Sequence, residues 1–202
     1  MRVLLCDGSL RPGNGNTAAA LDAIAVRLRG RAEVARLDLA GPMPDVEVVV
    51  ERVLTSDALI VGSGTYWHGW GSPLQRFLEV LTPWEGTEVF AGKPAAVVIT
   101  ADAYGGPDLA ARLLHTLSSF GCLVPPCSTV VLTRAGMGPG HHPDDADRWT
   151  LDDLDPLVAN LLAAAALPRT WATWSVRALA RPSGPWPTGP LDLATARFVT
   201  RG

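Results

Sequence analysis

The chain has 202 residues, 48% of them hydrophobic, and a formal charge of −3. That length suits one domain, and the apolar content predicts a sheet covered by helices on both faces. No basic stripe interleaves with aromatics, which disfavours nucleic-acid binding; Cys6, Cys122 and Cys127 lack the paired spacing of a zinc or iron–sulfur site and read as buried small hydrophobes.

Val3 to Cys6 is a short apolar run, read as a first strand, and it feeds directly into Gly8-Ser9-Leu10-Arg11-Pro12-Gly13-Asn14-Gly15-Asn16-Thr17. Leu21, Ile24, Ala25 and Leu28 then recur at helical period. A weaker run, Val34 to Leu39, is the second strand, and Val46, Val49, Val50 and Val53 mark the second helix. Ala58 to Val61 is the third strand, followed by a helix carrying Leu74, Phe77, Leu78 and Leu81. Ala95 to Ile99, the helix of Ala110, Leu113, Leu114 and Leu117, and Thr129 to Leu132 complete five strands and four crossovers. A fifth helix is expected with Asp155 as N-cap, Pro156 at its first position and Leu157, Val158 and Leu161 on one face; Thr150 is a competing start. No apolar stretch approaches a membrane span, and Met1 stands too close to Gly8 for a signal-peptide core, so the expected location is cytoplasmic. Lys93 is the only lysine, which excludes mechanisms that need several.

The composition changes at Pro168. Residues 1–167 read as the α/β domain and 168–202 as a Pro/Trp-rich extension, with Trp171, Trp174, Trp186 and Phe198. Its five arginines (Arg169, Arg177, Arg181, Arg197, Arg201) against Asp192 give it +4 and leave −7 on the rest. Charge and tryptophan content favour docking, on its own body or on a partner subunit, over disorder.

Glycines in the 8–17 loop let backbone N–H groups turn inward, and Ser9, Arg11, Asn14, Asn16 and Thr17 supply further donors ahead of a helix N-terminus, where an anion is favoured. Asn14-Gly15 is also a hairpin signal, but a helix follows where a strand would have to. Gly8 and Gly13 have P-loop spacing, yet Asn14 stands where the lysine must be, and no G-x-G-x-x-G is present. A single phosphate fits better than a triphosphate or a dinucleotide. A mere tight turn between strand and helix remains the bland alternative.

Gly8-Ser9-Leu10-Arg11, Asn14 and Asn16-Thr17 together resemble the G-S-x-R-x-x-S-x-N signature of the NAD(P)H-dependent FMN reductases, with Asn14 in place of the serine. Gly62 to Leu74, containing Thr65-Tyr66-Trp67-His68-Gly69, resembles that family's P-x-Y-W-G region and the start of its L-K-x-F-L-D helix, with Gly64 in place of proline. Thr100-Ala101-Asp102-Ala103-Tyr104-Gly105-Gly106, after the fourth strand, has the position and glycine content of the family's last flavin loop. The resemblance implies a flavodoxin-like, doubly wound five-stranded parallel sheet of order 2-1-3-4-5, with all three loops at strand C-terminal ends. It implies FMN as cofactor and NADPH or NADH as co-substrate, in a homodimer or homotetramer. Hydride would pass from nicotinamide to flavin N5 and on to a small acceptor such as a quinone, a flavin or an azo compound.

The resemblance then assigns Ser9, Arg11, Asn14, Asn16 and Thr17 to the phosphate, and Thr65 to Gly69 and Ala101 to Gly105 to the ring end. Flavin chemistry needs no catalytic side chain, which fits the lack of a nucleophile–base pair and counts against a hydrolase. Tyr66 and Trp67 either flank the ring or pack in the core; Trp70 and Trp84 are candidates for a subunit interface. His68 is a candidate proton donor, against a solvated loop histidine. His141-His142 reads as an acidic loop, and no metal site is expected. Two other readings stay open: a one-electron carrier of flavodoxin type, and a flavin-free binding module.

Overall fold

A computed structural model describes residues 1–11, 13–134, 149–173 and 179–191. Its order is β1 (Arg2–Asp7), α1 (Asn16–Leu28), β2 (Glu33–Asp38), α2 (Val46–Leu54), β3 (Ala58–Gly64), α3 (Ser72–Leu81), β4 (Ala95–Ala101), α4 (Gly106–Ser119), β5 (Thr129–Thr133) and α5 (Leu154–Ala165), with 3-10 turns at Thr82–Trp84 and Leu151–Asp153. All strand pairs are parallel, and the sheet order is β2-β1-β3-β4-β5.

Alternate strand residues face opposite ways, so each continuous apolar run supplies two cores. Val3, Leu5, Ala58, Ile60, Ala96 and Val98 meet Leu21, Ile24 and Leu28 of α1 and Leu157, Val158 and Leu161 of α5. Leu4, Cys6, Leu59, Val61, Val97 and Ile99 meet α2, α3 and α4 through Val49, Phe77 and Leu113. The edge strand β2 buries only Leu37 outright, which explains its weak sequence signal. Chain order reverses at β1, between β2 and β3, and that places the crevice between the β1 and β3 loops.

Two expectations change. The last helical segment begins before Asp155: the Thr150 hydroxyl accepts the Asp152 N–H, and the Asp153 carboxylate accepts the Thr150 N–H, a capping box that starts a 3-10 turn running into α5. Pro156 sits inside the first turn, where a missing N–H removes no helix bond. Cys6 and Cys122 are buried as expected, but Cys127 is exposed. Burial, helped by the adjacent Asp7 carboxylate, raises the Cys6 thiol far above its ordinary value, and burial pushes Cys122 up to about 12; neither is a nucleophile near neutrality.

Beyond α5 the chain runs back over the body. Arg169 donates to the Asp57 carbonyl at 2.8 Å, and the Thr173 hydroxyl donates to the Gly86 carbonyl at 2.8 Å. Trp171 lies on Gly92, where a Cβ would come within 2.4 Å of the indole. The Arg181 guanidinium sits 5.5 Å above the Trp84 ring, and Trp186 stacks on Phe77 with centroids 6.5 Å apart. At α2 the Gly184 carbonyl accepts the Val46 N–H at 2.9 Å, while Glu47 accepts the Gly184 N–H at 3.0 Å. The extension thereby caps a helix whose own N-cap, Asp45, makes no side-chain cap bond. Trp174, Phe198, Arg177, Arg197, Arg201 and Asp192 lie outside the described residues.

Candidate functional site

Three loops leave the C-terminal ends of β1, β3 and β4 and enclose a cavity of about 500 Å³. Ser9, Arg11, Asn14, Asn16, Thr17, Thr65, Tyr66, Ala101 and Asp102 line it, joined by Leu10, Gly15, Gly64 and Thr100. Gly15 leads into α1 in an extended conformation, and no acidic residue occupies the helix's first turn. The first N–H groups of α1 therefore face the cavity mouth without intrahelical acceptors, a setting that favours an anion.

Two hydroxyls in this wall are buried and unpartnered among the described residues: Ser9 Oγ and Thr65 Oγ1. A buried hydroxyl without a partner is a few kcal/mol worse than a satisfied one, on the order of 1–3, and a ligand oxygen relieves that cost. Thr17 and Thr100 are already satisfied, their hydroxyls 2.9 Å apart, tying the start of α1 to the end of β4.

Behind the loop stands Asp7, with no solvent exposure. Its carboxylate accepts the Ser9 N–H at 3.0 Å and pairs with Arg36 at 3.3 Å. Arg36 also reaches Asp22 and Asp38; burial works against its charge, but hydrogen bonds and attraction to those two carboxylates raise its pKa overall. Sequence reading passed over Asp7 and Arg36, although a carboxylate closing an apolar strand was a visible signal. Thr100, the first residue of the expected third loop, also lines the cavity although it was not among the residues assigned to the ligand.

The remaining predicted residues do not line the cavity. Trp67 is fully exposed at the tip of a two-residue turn, with φ 49°, followed by His68 at φ 62°. Tyr66 and Gly69 exchange backbone hydrogen bonds of 2.8 Å across that turn. The His68 ring lies against Gly105, its carbonyl accepts from Arg112, and the residue is exposed at the protein surface. Ala103 and Tyr104 are exposed, and Gly105 precedes α4 in a left-handed conformation. Of the interface candidates, Trp84 is buried beneath Arg181, and Trp70 donates to Gln75 at 2.8 Å with Arg112 over its ring. His141 and His142 lie outside the described residues; among the described ones no His/Cys/Asp/Glu group could hold a metal.

A larger depression of about 780 Å³ lies between α3 and the extension, near Met43, Arg76 and Trp186. It contains none of the phosphate-loop residues and neither unpartnered hydroxyl, so the smaller cavity is the better ligand site.

The sequence model described as NADPH-dependent FMN reductase matches residues 1–136, the stretch that carries all three cavity loops. The chain belongs to this family. Its chemistry is accordingly that of a flavin-dependent oxidoreductase, with FMN as cofactor and NAD(P)H as electron donor. Solved structures add the fold. RosB with bound 8-demethyl-8-formylriboflavin-5′-phosphate is 18% identical, with TM-score 0.68 over 82% of this chain and 79% of its own. The apo form of an NADH:FMN oxidoreductase is 18% identical, with TM-score 0.61 over 81% and 89%. A flavodoxin from the domain Archaea is 14% identical, with TM-score 0.59 over 82% and 99%. No curated protein matches the sequence significantly.

The cavity of this FMN reductase family member suits the cofactor's chemistry. It offers an anion-favouring helix start, one guanidinium, two side-chain amides and two hydroxyls in need of a partner. The flavodoxin-like sheet of order 2-1-3-4-5 puts that donor set where open α/β sheets take ligands.

Proposed function

We propose that this protein is an NAD(P)H-dependent reductase of a small acceptor, with FMN held in the β1/β3/β4 cavity. The observation that carries this reading is the pair of buried, unpartnered hydroxyls, Ser9 Oγ and Thr65 Oγ1, in a cavity at the switch point of a family member's sheet. Bound there, FMN supplies hydride acceptance and release at its ring nitrogen. Ser9, Arg11, Asn14 and Asn16 bind the phosphate; Arg11 supplies the full positive charge, and the α1 N-terminus adds its partial one. Thr17 and Thr100 brace the floor through their mutual hydrogen bond, and Thr65, Ala101 and Asp102 line the ring end.

Trp67, His68, Ala103, Tyr104 and Gly105 form a rim outside the cavity, suited to shaping how nicotinamide and acceptor approach. Quinones, free flavin and azo compounds are the acceptor classes we propose, flat molecules that can stack on exposed aromatics such as Trp67 and Tyr104. We place the protein in the cytoplasm as a homodimer or homotetramer, with residues 168–202 an arm appended to the 1–167 domain. No helix among the described residues is long and apolar enough to cross a membrane.

Titration of FMN into wild-type and Arg11→Ala protein, followed by flavin fluorescence, tests the phosphate assignment. The variant is expected to bind at least tenfold more weakly, because it loses a charge-assisted contact of roughly 1.5–3 kcal/mol. Equal affinity would sink the assignment of Arg11.

A further inference from the structure

The cradle has an internal occupant. The Leu10 N–H, which belongs to the phosphate loop, donates at 3.1 Å to the Tyr66 hydroxyl. That oxygen stands in the cavity where a ligand oxygen would otherwise take the amide. The ring reaches this position by lying over Gly64. A Cβ at residue 64 would stand 3.0 Å from the Tyr66 hydroxyl oxygen and 3.1 and 3.2 Å from two ring carbons, tighter than side chains ordinarily tolerate. Gly64 occupies the position at which the resembling sequences carry proline, so the departure from their pattern is what makes room for this placement. Tyr66 is only half-buried and stands at the base of a two-residue turn.

We propose that Tyr66 gates the phosphate cradle: its hydroxyl occupies the Leu10 amide, and a flavin phosphate enters only when the ring has swung off Gly64. The inference rests on the cavity being a flavin site. The gate makes the closed state a competitor of the ligand, so the apparent dissociation constant is the intrinsic one divided by the open fraction. FMN is therefore held more loosely than the donor set alone would hold it.

The test is FMN binding by fluorescence titration and stopped-flow mixing with the full-length protein, comparing wild type, Tyr66→Phe and Gly64→Ala. Tyr66→Phe removes the competing oxygen and keeps the ring. It is expected to lower the dissociation constant about fivefold, the worth of one neutral hydrogen bond, through faster association with dissociation unchanged. Gly64→Ala displaces the ring and shifts affinity the same way; if that variant fails to fold, Tyr66→Phe decides alone. A weaker or unchanged affinity in Tyr66→Phe, or a gain that appears only as slower dissociation, overturns the gate. Absence of FMN binding in folded wild type and variants alike overturns the flavin site itself, an outcome distinct from loss of the gate.

Discussion

Asp7 is buried with one charged partner, and the loop that follows it hangs from its carboxylate through the Ser9 N–H. Arg36→Ala would strand that charge and is expected to destabilise the fold by about 3 kcal/mol, read as a fall in the urea midpoint. Adding Asp7→Asn should recover part of the loss, because the amide oxygen still accepts from Ser9. If the single variant is as stable as wild type, the pair does not hold the loop. Lys93 is buried too, donating to the Ser56 and Leu54 carbonyls. Burial, reinforced by the nearby Arg169 guanidinium, pushes its pKa down from 10.5 to about 8. The folded state thus releases this proton more readily than the unfolded chain. Below about pH 8 both states carry it and the penalty is fully present; between about 8 and 10.5 stability rises as pH rises. Lys93→Met should remove that rise, a result visible in urea midpoints measured across the interval.

Among the elements, α5 depends on a cap one turn ahead of it. Thr150→Ala removes the side-chain half of the capping box and is expected to cost about 1 kcal/mol, measured by thermal melting. The shift of this start from Asp155 to Thr150 shows where sequence reading stops. Asp-Pro is a good local start signal, but Thr150 and Asp153 satisfy each other reciprocally and win the competition. Elsewhere the elements were legible because period and burial agree: Leu21, Ile24 and Leu28 pack under the same strand residues that run apolar without a break. Nine of the thirteen residues that line the cavity were named from the sequence, because the three loops stand at strand ends. Trp67 and Tyr104 were not legible as exposed, since an aromatic beside a glycine loop reads the same whether it covers a ligand or projects from a turn. Only the left-handed backbone at Trp67 and His68 turns that indole outward. Asp7 was visible as a carboxylate closing an apolar strand, but its partner Arg36 was not, because it lies on the weakly patterned β2.

Across the whole molecule, described residues of the extension contact the body at several points. Trp186 covers Phe77, Arg181 covers Trp84, and Gly184 caps α2 from 138 positions downstream of Val46. Deleting residues 168–202 uncovers apolar surface on the face opposite α1 and α5 and frees the α2 start. The shortened chain is expected to melt roughly 4–8 °C lower, the equivalent of about 2 kcal/mol for a domain of this size. An unchanged melting temperature would mean that the arm contributes nothing to the fold. The proposed FMN cavity lies at the other loops, so the deletion should alter FMN affinity far less than Arg11→Ala does.

On the proposed function, this family member passes electrons from a nicotinamide to FMN held in the β1/β3/β4 cavity. Anaerobic stopped-flow mixing of FMN-loaded protein with NADPH and with NADH addresses it most directly. Rapid bleaching of the flavin absorption is expected with at least one donor, at a rate that saturates with its concentration, followed by reoxidation when a quinone is added. Flavin that binds but stays oxidised with both donors would contradict that function and point to an electron carrier of the same fold.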